Sequence, residues 1–108
     1  MEPHVQKLAQ LRARTDRQLV ELISARLDHG FSYSRVLATR ESQGDWAALR
    51  EFHQRAENAW CEAHRLLPAL DGAAENDRTA LLRRAEVLRE ELDRFTAKAF
   101  PIRRAACF

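Results

Sequence analysis

The stretch WAALREFHQRAENAWCEAHRLLP, residues 46–68, decides the fold. Trp46, Leu49, His53, Ala56, Trp60, Ala63 and Leu67 recur at alternating spacings of three and four. That is the period of an α-helix burying a single heptad seam. Asp45 is of the type that caps a helix start, and Pro68 cannot continue a helix. The spacing therefore predicts a helix over about 45–67, with an apolar stripe that must find its complement elsewhere in the chain.

The complement lies on both sides. Leu81, Ala85, Leu88, Leu92, Phe95 and Ala99 repeat the pattern and predict a helix over about 76–99, capped by Asn76 or Asp77 and stopped by Pro101. The polar, glycine-containing run 69–76 joins it to the central helix. At the other end, Val5, Leu8, Leu11, Thr15, Leu19, Leu22, Ile23 and Leu27 predict a helix over about 3–29, opened by Pro3 and stopped by Gly30. Thr15-Asp16-Arg17-Gln18 has the form of a capping box and allows a break near residue 14, but a single helix is the reading adopted here. A short helix over 32–42, capped by Ser32 or Ser34, turns Tyr33, Val36 and Leu37 inward. The run Ser42-Gln43-Gly44-Asp45 is a turn. The expected fold is an all-α antiparallel helical bundle of three long helices and one short one. It forms one domain over residues 1–100 with a tail over 101–108.

Composition agrees with an all-α chain. Three glycines and three prolines in 108 residues leave room for few tight turns. Alanine, leucine, arginine and glutamate dominate, all good helix formers. Cys61 and Cys107 make neither a disulfide framework nor a CxxC motif, which points to the reduced bacterial cytoplasm. The N-terminus lacks the pattern of a signal peptide, and no apolar run is long enough to span a membrane.

Sixteen of the eighteen basic residues are arginine, yet sixteen acids bring the net charge to +2. A one-signed nucleic-acid surface is not expected from that balance. The most basic region is the C-terminal third, with Arg83, Arg84, Arg89, Arg94, Lys98, Arg103 and Arg104. There Arg89 with Asp93 and Glu90 with Arg94 stand at i,i+4, the spacing of a self-paired solvated face.

His53, Glu57, Cys61 and His64 fall within an arc of about 80° on the central helix and form a candidate polar cluster. All four are metal-ligand types, but one helix cannot enclose a tetrahedral ion, and neither an HExxH nor an ExxH pair is present. His53 is instead expected in the seam, buried beside Trp60 and hydrogen-bonded. No cofactor motif, nucleophile elbow or phosphate loop occurs.

Two partial resemblances stand beside this reading. Residues 33–59, through Tyr33, Val36, Leu37, Arg40, the Gln43-Gly44-Asp45-Trp46 turn, Leu49, His53 and Ala56, resemble a single tetratricopeptide-like helical hairpin. Leu37, Arg40 and Leu49 depart from that family's small, aromatic and alanine preferences. The resemblance implies protein or peptide binding. Leu11-Arg12, Asp16, Leu19, Leu22, Ile23 and Arg26 resemble the first helix of the helical chorismate mutases, but Arg12 and Arg26 stand too close together and Arg40 replaces the later cation only loosely.

The expected function is a non-enzymatic protein–protein interaction or self-associating module. A homodimer is expected, with Trp46, Leu49, His53 and Trp60 as its surface, because a short fourth helix leaves them uncovered. A nucleic-acid-associated factor using the arginine-rich C-terminal helix is the alternative. A metal-binding bundle or a chorismate-mutase-like enzyme comes further behind.

Overall fold

The computed structural model describes residues 3–70 and 75–99, apart from the side chains of residues 3–5, 9 and 12. Three α-helices carry the chain: α1 over Pro3–Gln43, α2 over Trp46–Leu66 and α3 over Glu75–Ala99. A single 3-10 turn, Leu67–Ala69, follows α2, and no strand occurs among the described residues.

Residues 3–43 form one helix, where two had been expected. Gly30 is not a stop but a buried residue in the middle of α1. A Cβ built on it lies 2.5 Å from Leu88 Cδ2, so its missing side chain is what lets α3 approach α1 at this level. Ser34 does not cap a new helix; its hydroxyl donates to Glu91 Oε2 at 3.1 Å. The Thr15 hydroxyl donates to Leu11 O at 2.9 Å inside the continuous helix and caps nothing. The stop falls at Gly44, whose φ of +70° is the left-handed conformation a helix end uses. Asp45 Oδ1 then accepts from the Ala48 N–H at 3.2 Å, capping α2 as expected. α3 begins at Glu75, which makes Asn76 and Asp77 first-turn residues and not caps.

Cross-helix pairs set the topology. Ser24 and Asp28 meet Arg84, Ser34 meets Glu91 and Glu41 meets Lys98, so α1 and α3 run parallel. His53 meets Thr96, Glu57 meets Arg89 and Trp60 meets Ala85, so α2 and α3 run antiparallel. The result is an up–down–up bundle of three helices. Ile23, Leu27 and Leu37 from α1, Leu49, Ala56 and Ala63 from α2, and Leu81, Ala85, Leu88 and Leu92 from α3 fill one core, closed at one end by Leu67 and Leu70. The seams read for α2 and α3 thus lie on the faces turned to the core, except at Trp46, which is exposed.

The α1 stripe is buried only in part. From Gln6 to Gln18 every described side chain is exposed except the half-buried Asp16, and Leu19 and Val20 are the first to pack on the core. At 1.5 Å per residue α1 is about 61 Å long against about 31 Å for α2, so residues 3–18 extend about 24 Å beyond the bundle. The molecule measures 64 × 22 × 20 Å.

Gly30 allows a direct test. Gly30→Ala adds helix propensity of about 1 kcal/mol but pushes on Leu88, so thermal unfolding should move little. Gly30→Leu should cost at least the roughly 1–3 kcal/mol typical of overpacking. Equal melting temperatures for Gly30→Leu and wild type would show that the two helices do not touch there.

Candidate functional site: a buried ion network and a protruding helix

At the middle of the α2/α3 contact lies a network of charged side chains. Glu57 is 1% exposed, and both of its carboxylate oxygens are held by Arg89, whose Nη1 and Nη2 donate at 2.7 and 2.6 Å. Arg89 Nε donates to Asp93 Oδ1 at 2.9 Å, and the guanidinium lies over the Trp60 ring at 4.7 Å. His53 Nε2 stands 3.4 Å from Glu57 Oε1 and 2.8 Å from Thr96 Oγ1. The single hydroxyl proton of Thr96 goes to Leu92 O at 2.8 Å, so Thr96 accepts from His53, and Nε2 carries a hydrogen. No described buried side-chain nitrogen or oxygen lacks a partner.

Burial alone pushes the Glu57 carboxyl up, but hydrogen bonds from His53 and Arg89 and the charges of both outweigh it and hold it at about 2 against an ordinary 4.5. Burial likewise pulls Arg89 down, and its hydrogen bonds to Glu57 and Asp93 turn the net shift upward. A charge pair this well satisfied is fixed in the ionised state. It orients two helices relative to each other.

The candidate polar cluster is therefore divided. His53 and Glu57 come together, whereas His64 stacks on Trp60 with ring centroids 4.7 Å apart. The ring beside His53 is Phe95, at 5.5 Å, in place of the expected Trp60. Cys61 is disulfide-bonded, its other half lying outside the described residues, which removes the argument for a reduced compartment built on two separate thiols. Among the described residues no group of three or more His, Cys, Asp or Glu is placed to hold a metal ion. Of the four residues expected to form an interaction surface, Leu49 and His53 are buried, Trp60 is half-buried and Trp46 alone is exposed.

Two of the five arginines of α3 are committed within the chain, whereas Arg78, Arg83 and Arg94 make no ion pair with a described residue. Arg84 pairs with Asp28 and Ser24, Arg89 with Glu57 and Asp93, and Lys98 with Glu41 at 2.6 Å. Arg103, Arg104 and the rest of the tail lie outside the described residues. No described helix is long and apolar enough to cross a membrane.

Further exposed apolar surface lies away from Trp46. Leu8 is 65% exposed and Leu11 50%, both on the protruding part of α1, and Leu22 at its root is 42% exposed. A second feature is an open groove between α2 and α3 of about 350 Å³, with an apolar floor that includes Trp60 and Leu82 and a polar rim of His64, Glu86, Arg89 and Glu90. Amphipathic periodicity marked both regions as core without saying whether their cover lies in the same chain.

Comparison with known proteins adds no relative: no family model, curated protein or solved structure matches the chain.

Proposed function

We propose that this chain is a non-enzymatic protein–protein interaction module that self-associates through the protruding third of α1. The observation that carries the reading is the pair Leu8 and Leu11, exposed on a helical segment that projects beyond the bundle. A lone amphipathic helix of this length gains most of its stability from packing an apolar face, and the described side chains of residues 6–18 have no such packing against the other described residues. Contiguous exposed apolar surface of this kind is the usual mark of an interface, and a second copy is its commonest cover.

Static light scattering across micromolar concentrations tests it. The expected mass is twice the 12.5 kDa of one chain, falling toward one on dilution. Leu8→Ser/Leu11→Ser should give a single-chain mass at the same concentrations, with the helical circular dichroism of the bundle retained because neither side chain enters the core. A wild-type mass of one chain throughout would end the reading.

A further inference from the structure

We infer that residues 3–18 of each chain lie in the α2/α3 groove of a second copy, supplying the fourth helix of the partner's bundle. The inference rests on the self-association just proposed and goes beyond it by naming where the protruding helix docks.

Charge selects the groove over the other candidate, a second protruding helix. Residues 3–18 carry four basic residues, Lys7, Arg12, Arg14 and Arg17, against the single acid Asp16. Pairing two such segments side by side sets like charges against each other along the whole contact, which disfavours that arrangement. The groove rim has the opposite sign, because Arg89, which also lines the groove, is already paired with Glu57 and Asp93 and leaves two carboxylates unmatched. Glu86 and Glu90, one turn apart on α3, stand exposed on its rim and make no ion pair with any described residue. Lys7 and Arg14, two turns apart on α1, border the Leu8–Leu11 stripe on one side and likewise make no such pair.

Shape agrees with charge. The groove floor is apolar, and Leu82, at 39% exposure, is one of the exposed large hydrophobic residues of α3. The protruding segment leaves the bundle at the end where α2 finishes, since Arg26 pairs with Glu62 and Leu22 borders the same surface cavity as Leu66. A copy turned end for end about a two-fold axis near that level places its own α2/α3 face alongside residues 3–18. The same operation returns its protruding helix to the first copy's groove. Both apolar surfaces are covered at once and the assembly closes at two chains.

Charge reversal tests the docking by light scattering. Lys7→Glu/Arg14→Glu and, separately, Glu86→Lys/Glu90→Lys should each weaken the dimer by about tenfold or more. The four changes combined should restore it to within about threefold of wild type. All four side chains are exposed, so the fold should survive, with helical circular dichroism as the check. Trp60 gives a second readout: in a Trp46→Phe background its emission should shift to the blue across the monomer–dimer transition. Wild-type dimerisation by Glu86→Lys/Glu90→Lys, absence of rescue in the combined variant, or a Trp60 emission unchanged across the transition would each overturn the docking. If Leu8→Ser/Leu11→Ser still abolished the dimer, self-association would stand without it. A wild-type chain that never dimerises would overturn both.

Discussion

Glu57→Ala is expected to lower the unfolding free energy by about 3–5 kcal/mol, the usual cost of removing one partner from a buried charge pair. The loss is large because Arg89, with a side chain only 13% exposed, would keep its charge and its burial while losing both of its contacts to Glu57. Asp93 and the face of the Trp60 ring would remain to it among the partners described above. Replacing both members, as in Glu57→Leu/Arg89→Met, should recover much of the loss, since an apolar pair of similar volume carries no desolvation cost. Urea unfolding of the single and double variants separates the two cases. Equal destabilisation by both would show that the charges are not what the site depends on.

The same carboxylate sets an acid limit. Its pKa in the folded chain is about 2 against 4.5 in the unfolded one, so the unfolded state takes up protons first as the pH drops. The stabilisation it contributes, on the order of 3 kcal/mol, is complete above about pH 4.5 and lost as the pH falls through 2. Wild type should therefore lose stability steeply between those values, and Glu57→Ala should lose less over the same interval.

Leu88→Ala is the second large effect, expected to cost roughly 2–5 kcal/mol as for other buried leucines. Leu88 is fully buried at the crossing of α3 with α1, its methyl over Gly30. Its removal opens a cavity against a residue that has no side chain to fall into it. Gly30→Ala, which pushes on Leu88 in the wild type, should then be stabilising in the Leu88→Ala background. The two changes should thus be non-additive, as residues in contact are. Chemical unfolding of the four members of this cycle gives the coupling, and a value of zero would place the two residues out of contact.

The α2 and α3 seams were legible in the sequence because burial follows a local period, and Leu49, Ala56, Ala63, Leu81, Leu88 and Leu92 all sit where that period puts them. Asp45 and Gly44 were legible for the same reason: a cap and a left-handed turn are decided within four residues. Gly30 was misread because a glycine that ends a helix and a glycine that admits a neighbouring helix look alike along one strand of text. Only Leu88, 58 positions away, distinguishes them. Glu57 and Arg89 were each noted, but as a ligand type and a solvated ion pair. Both flank a seam by one position, Glu57 beside Ala56 and Arg89 beside Leu88, and that shared offset was the available signal. Leu8 and Leu11 carried the periodicity of a core that the described residues do not supply.

The unbroken α1 also governs how the protein migrates. A compact chain of 108 residues has a radius of gyration of about 13 Å, whereas this one has 17.4 Å. A rod with a protruding third tumbles and drags like a larger sphere. On a sieving column calibrated with compact standards, one copy will elute ahead of its 12.5 kDa and imitate a pair. Elution volume thus measures the reach of α1 before it measures stoichiometry.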